Sequence, residues 1–183
     1  MKISILTPTY NRANLLTNLY NSLVKNLNYG LEIEWLIMDD GSTDNTQSVV
    51  ENFIKQNKID IKYFKQENQG KMVAINNLVE KTTGELIVDC DSDDYFSDDA
   101  FKIIKESYEK YPNENQELYG MCFLKYDTKG QNMGQLFKNE KTTMFDLYFK
   151  DGITEIPDGI MQECDSLNKI VFPSTLKKIG NNS

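Results

Sequence analysis

The 183-residue sequence contains no histidine. That absence excludes Ser-His-Asp and Cys-His catalysis, a histidine general base and the usual zinc sites. Acid–base or metal chemistry then falls to carboxylates, lysine and tyrosine, which favours a cation held by oxygen alone. Cysteine is scarce as well. Cys90, Cys122 and Cys164 are widely spaced and odd in number, a usage that suits a reducing compartment and offers no metal-ligand spacing. Long apolar runs are missing; the longest are strand-length, so no membrane-spanning helix is expected. The start, Met1-Lys2-Ile3-Ser4-Ile5-Leu6, enters a strand without the layout of a signal peptide. The expected location is therefore cytoplasmic, with the cytoplasmic face of a membrane as the alternative. Basic excess is also missing. A formal charge of −8 and a pI near 4.7 argue against nucleic acid as a partner. A metal–diphosphate ligand stays open, because the metal would bring the positive charge.

What is present is an alternation. Ile3 to Thr7 reads as a buried strand stopped by Pro8, and Asn11 is expected to cap a helix carrying Leu15, Leu16, Leu19, Tyr20, Leu23, Val24 and Leu27. Ile33 to Met38 forms the next strand, followed by a helix with Val49, Val50, Phe53 and Ile54 on one face. A third strand near Ile59 to Phe64 leads to a helix with Val73, Ala74, Leu78 and Val79, and Leu86 to Val88 is a fourth strand. A further helix holds Phe101, Ile104 and Tyr108; Leu118 to Tyr126 reads as a strand, Lys129-Gly130 as a turn and Thr142 to Phe149 as a short helix. Such alternation predicts an α/β fold with a mostly parallel sheet, helices on both faces and right-handed crossovers.

Four polar loops then meet at the carboxyl ends of the strands, where open α/β sheets bind ligands. They are Pro8 to Arg12, Asp39 to Asp44, Asn68 to Lys71 and Asp89 to Asp94. The last is the most acidic. Carboxylates so crowded must be compensated by solvent, a helix N-terminus or a hard cation. Asp-x-Asp at Asp91 and Asp93 suits magnesium or manganese, although two aspartates so spaced are common, and a solvated, helix-capping turn is the plainer reading. Gly41 supplies a permissive turn and Ser42 or Asp44 a helix cap. Asn68-Gln69-Gly70-Lys71 opens a helix whose N–H groups and lysine suit an anion. Tyr10 can stack on a base or simply pack against the sheet edge.

From Asp151 the texture changes. Ile153-Thr154-Glu155-Ile156 recurs in form as Leu176-Lys177-Lys178-Ile179, a period near twenty-three residues, with Leu167-Asn168-Lys169-Ile170 between them. Periods of this size mark repeat architectures.

Four segments in order carry a resemblance: Ile5-Leu6-Thr7-Pro8-Thr9-Tyr10-Asn11-Arg12, Met38-Asp39-Asp40-Gly41-Ser42-Thr43-Asp44, Glu67-Asn68-Gln69-Gly70-Lys71 and Val88-Asp89-Cys90-Asp91-Ser92-Asp93-Asp94. Together they resemble family-2 glycosyltransferases of the GT-A fold, Rossmann-like, across residues 1 to about 110, and Met144-Phe145-Asp146-Leu147-Tyr148-Phe149-Lys150-Asp151-Gly152 is similar to a later segment of that family, so the domain is expected over 1–150. Residues 151–183 resemble a leucine-rich repeat of the type found in bacterial and protist surface proteins. The resemblance implies a nucleotide-sugar donor, often UDP-linked, a divalent cation (Mn2+ or Mg2+), and a glycan, lipid or protein acceptor. It places Thr9 and Tyr10 against the nucleotide, Asp39 on the uracil and Lys71 near the nucleotide. Asp91 and Asp93 carry the Asp-x-Asp motif, with Asp93 the direct metal ligand. The acceptor base of such enzymes lies well downstream, where this chain departs from the pattern; Glu155 and Glu163 are the nearest candidates, and both read equally as repeat surface positions. Two other functions compete with sugar transfer. One is a non-catalytic donor-binding module whose tail pairs with another chain. The other is a phosphohydrolase using Asp89 and Asp91, which leaves the second and third loops without a task.

Overall fold

A computed structural model describes residues 1–110, 121, 123, 125–133, 155–156 and 178–179. The chain forms two compact units, Met1–Tyr119 and Gly120–Ser183. In the first, the order is β1 (Lys2–Thr9), α1 (Ala13–Lys25), a 3-10 turn (Asn26–Tyr29), β2 (Glu32–Asp39), α2 (Thr46–Gln56), β3 (Asp60–Lys65), α3 (Lys71–Val79), β4 (Leu86–Asp89) and α4 (Ala100–Lys110). The four strands pair in parallel in the order β3-β2-β1-β4. The expected α/β architecture is therefore observed. Strand order reverses between β1 and β4, since the first two crossovers step one way and the third jumps back past β1.

Strand parity sorts the core into two layers, because alternate side chains face opposite sides of a sheet. Ile3, Ile5, Ile33, Trp35 and Ile37 pack with Leu16, Leu19, Tyr20 and Leu23 of α1, Val50 and Phe53 of α2, and Phe101 and Ile104 of α4. Leu6, Leu36 and Met38 face the other way, onto Ala74 and Leu78 of α3. Both faces of β2 are apolar, as an interior parallel strand requires. Tyr20 and Phe53 stack at 4.2 Å between ring centres. The indole N–H of the fully buried Trp35 donates to Thr7 Oγ1 at 2.9 Å, so the largest core side chain leaves no polar atom stranded.

A carboxylate is buried deep inside this sheet. Glu34 of β2 is fully enclosed and accepts from Ser4 Oγ (2.5 Å), Lys62 Nζ (2.7 Å), Thr83 N–H (2.6 Å) and Thr83 Oγ1 (2.8 Å), with Lys2 Nζ at 3.2 Å. Burial alone would raise its pKa, but these donors outweigh it and hold the carboxyl well below the usual glutamate range. The network ties the loop after α3 to β1 and β2. Gly84 completes that seam, since a Cβ there would stand 2.7 Å from the backbone nitrogen of Ser4.

The helix starts differ from expectation. Asn11 does not cap α1; it sits at φ 53° and its Oδ1 accepts from Thr43 N–H at 2.8 Å. The cap comes from across the sheet edge. Asp44 Oδ2 accepts from Ala13 N–H at 3.1 Å, while its Oδ1 accepts from Thr46 N–H at 3.0 Å, so one carboxylate serves the first turns of both α1 and α2. A residue thirty-one positions away is invisible to a rule that looks one turn ahead.

In the second unit, Lys129-Gly130 forms the expected turn, with Gly130 at φ 76°, Asp127 Oδ1 accepting from Lys129 and Gln131 N–H, and an antiparallel bridge between Tyr126 and Asn132. Strands β5 (Glu155–Ile156) and β6 (Lys178–Ile179) pair in parallel, Glu155 opposite Lys178 and Ile156 opposite Ile179. The expected helix at 142–149, most of the expected strand at 118–126, Glu163 and the rest of the tail lie outside the described residues.

Candidate functional site

The loops after β1, β2 and β4 and the first residue of α3 enclose an open cleft of about 210 Å³, lined by Pro8, Thr9, Tyr10, Arg12, Asp40, Lys71, Asp91, Ser92 and Asp93. It opens at the carboxyl ends of β1 and β4, where the strand order reverses, the position at which doubly wound sheets take ligands. Five of the six nucleotide- or metal-binding candidates, Thr9, Tyr10, Lys71, Asp91 and Asp93, come together here.

The sixth, Asp39, does not. It is fully buried on the α1–α2 side, where Oδ1 accepts from Ser42 N–H at 2.6 Å and Oδ2 from the Tyr63 hydroxyl, with Lys65 Nζ at 3.8 Å. Burial, and then this carboxylate, push the Tyr63 hydroxyl far above its ordinary pKa, so Tyr63 stays a donor. The neighbouring Asp40 lines the cleft instead. The reason is parity. Residues 35, 37 and 39 share the α1–α2 side, whereas 36, 38 and 40 share the α3 side, toward which the cleft opens. That alternation was readable in the sequence and points to Asp40.

Asp40 also corrects the expected anion site at the start of α3. The N–H groups of Gln69 and Gly70 are taken: they donate to Asp40 Oδ1 at 2.9 Å and Oδ2 at 2.8 Å, and the Gln66 amide adds a third bond at 2.8 Å. Burial works against this carboxylate, yet the three donors keep its pKa below the usual aspartate range. The side chain of Lys71 lines the cleft beside this loop.

The acidic loop is compensated from within. Lys71 Nζ pairs with Asp91, and Arg12, the chain's single arginine, pairs with Asp93 through Nη1 at 2.6 Å. The bond to Asp91 raises the Lys71 pKa, so this ammonium stays charged. Arg12 and Ser92 are cleft residues that sequence reasoning did not single out. Nothing in the sequence foretold Arg12, since its partner lies eighty-one positions away.

Tyr10 leaves the site open to a ligand: it is 48% exposed, with its ring available for stacking. Thr9 lines the cleft as well, but it is 97% buried, its unpartnered Oγ1 is closed to solvent, and its side chain shares the side of its strand partner Asp39. The residues present also fit a hard divalent cation. Among the described residues no three acidic or cysteine side chains converge as a ready-made cage. Asp91 and Asp93 supply two carboxylates, which is the usual protein share at a magnesium site completed by phosphate and water.

Comparison with known proteins finds relatives of the sequence and of the fold. A poly(ribitol-phosphate) beta-N-acetylglucosaminyltransferase, TarS of Staphylococcus aureus, is 36% identical over 104 residues, covering 56% of this chain and 18% of that protein. An uncharacterized glycosyltransferase of Mycoplasma genitalium is 40% identical over 114 residues, covering 60% of this chain and 38% of that protein. The chain thus spans well under half the length of these relatives. The crystal structure of residues 1–349 of TarS in complex with UDP-GlcNAc superposes with a TM-score of 0.55 at 32% identity, over 61% of this chain and 32% of that one. The sheet is that of the GT-A fold, and no described helix is long and apolar enough to cross a membrane. The model of glycosyl transferase family 2 matches residues 4–170, most of the sequence, and the chain belongs to that family.

Proposed function

We propose that this chain is the donor-binding part of a glycosyltransferase that takes a UDP-linked sugar with Mn2+ or Mg2+ and passes the sugar to a glycan, lipid or protein acceptor. The observation that carries this reading is the convergence of Thr9, Tyr10, Lys71, Asp91 and Asp93 on one cleft at the carboxyl ends of β1 and β4. The UDP-GlcNAc and UDP complexes of TarS support a uridine nucleotide. In this reading Tyr10 stacks on the base and Thr9 Oγ1 bonds the nucleotide. Asp40, not Asp39, faces it, with its carboxylate oxygens already held by the α3 loop. Asp91 and Asp93 hold the cation, and the chemistry it supplies is neutralisation of the charge developing on the departing diphosphate. Lys71 stays protonated beside Asp91 and adds positive charge on the same side of the cleft.

The tail is read as one turn of a parallel leucine-rich repeat. The pairing of Glu155 with Lys178 and Ile156 with Ile179 supports this, because its offset matches the twenty-three-residue sequence period. One turn cannot bury its own apolar face, so the repeat is proposed to associate with another surface.

Calorimetry tests the donor site. UDP is expected to bind in the presence of Mn2+ and to lose that affinity in EDTA, with GDP weaker than UDP. Absence of metal-dependent binding to any nucleotide would sink the proposal. Release of sugar from UDP-GlcNAc or another UDP-sugar then separates a transferase from a donor-binding module.

A further inference from the structure

We infer that Arg12 is a built-in counter-cation: it neutralises Asp93 while the cleft is metal-free, and it passes to the donor's diphosphate when a divalent cation takes that carboxylate. The inference rests on the donor reading above.

Charge balance is the first argument. The cleft wall carries three carboxylates, Asp40, Asp91 and Asp93, against two cations, Arg12 and Lys71. The excess is negative, and Asp89 behind the loop adds to it through its field on Lys71. A sugar-nucleotide diphosphate brings about two more and a divalent cation brings two positive, so only the pair together leaves the balance of the cleft unchanged. Metal and donor are then expected to enter as a unit, and each must displace something already there. Asp93 cannot offer its carboxylate to a metal on the side where the Arg12 guanidinium sits at 2.6 Å.

Mobility is the second argument. The backbone on either side of Arg12 is pinned to the loop after β2. Asn11 N–H donates to Ser42 Oγ at 2.9 Å, Asn11 Oδ1 accepts from Thr43 N–H, and Ala13 N–H donates to Asp44. The side chain is not pinned in this way: it is 43% exposed and its partner carboxylate 47%. A fixed root with a solvated head lets the guanidinium change partners without moving the loop. A half-exposed ion pair is also cheap to break, so the exchange costs little. The planar guanidinium matches two phosphate oxygens as well as it matches a carboxylate.

The test compares opposite effects in the full 183-residue chain. In calorimetry, Arg12→Gln is expected to bind Mn2+ alone about two- to fivefold more tightly, because an internal competitor of surface-pair strength is gone. The same variant is expected to bind UDP at saturating Mn2+ roughly tenfold more weakly, because a charge-assisted contact is lost. A purely structural role would weaken both, and a bystander would change neither; either result overturns the proposal. Asp93→Asn gives a second reading in EDTA, with no metal involved. Freed from its partner, Arg12 should let this variant bind metal-free UDP more tightly than the parent chain, and Arg12→Gln added to it should erase the gain. A gain that survives the second substitution overturns the proposal as well. Failure of the donor reading looks different, for then the unaltered chain binds no UDP with Mn2+.

Discussion

Thr9→Val separates what the cleft costs the fold from what it does for a ligand. Valine has the shape of threonine and an equal liking for strands, so the substitution at the end of β1 removes one hydroxyl and little else. Thr9 is 97% buried and its hydroxyl has no hydrogen-bond partner in the free protein. Enclosing an unpaired hydroxyl costs about 1–3 kcal/mol. Its removal should therefore leave stability unchanged or raise it by ~1 kcal/mol, a rise in Tm of about 2–4 °C for a chain of this size. Nucleotide binding should move the other way. A neutral hydrogen bond is worth about 0.5–1.5 kcal/mol net, so Kd for UDP with Mn2+ should rise about two- to tenfold. Thermal melts and calorimetry on the same preparation read both effects. A loss of stability beyond ~1 kcal/mol would show that Oγ1 has a partner in the free protein, and the reasoning that makes Thr9 a ligand contact would fall.

The remaining predictions concern the supports of the site. Glu34→Ala should cost about 1–3 kcal/mol in chemical denaturation, because Ser4 and Thr83 lose their buried acceptor while the partly exposed Lys62 and Lys2 turn to solvent. The depressed pKa of Glu34 also fixes a sign: its contribution is present above the ordinary glutamate range and is lost as pH falls toward the folded value, so Glu34→Gln should flatten the acid limb of a stability–pH curve. If the variant and the parent chain lose stability in parallel on acidification, the carboxylate is not held as described. Gly84→Ala should destabilise by about 1–3 kcal/mol, since its Cβ would meet the Ser4 nitrogen and the Lys2 oxygen, both backbone atoms that cannot swing aside. Asp44→Asn should lower stability by about 1–2 kcal/mol through weakened caps on two helices. It should also weaken UDP binding, because Arg12 and Tyr10 sit on the loop it anchors; unchanged affinity in a destabilised variant would mean that the loop holds its shape without Asp44.

Legibility followed range. The alternation of 3.6- and 2-residue periods between Ile3 and Ile104 is local, and it foretold the four strands, four helices and parallel sheet. The gathering of Thr9, Tyr10, Lys71, Asp91 and Asp93 followed from a fold-level rule, that the loops of a parallel sheet share one edge. What escaped was set by pairs far apart in the chain: Arg12 on Asp93, Asp44 on Ala13, and Thr83 and Ser4 on Glu34. No period or motif encodes which carboxylate a distant donor will choose. Asp39 is a different kind of miss. Two adjacent aspartates at a strand end face opposite layers, and the parity of Trp35 and Ile37 already told which layer each one faces.

The central claim is that the β1–β4 cleft is the donor site, and the most direct test is amide chemical-shift mapping of the chain titrated with UDP and Mg2+. The expected shifts fall on residues 9–12, 40–42, 68–71 and 90–94 and vanish when EDTA removes the metal. Shifts confined to other surfaces, or the same shifts with and without Mg2+, would contradict the account.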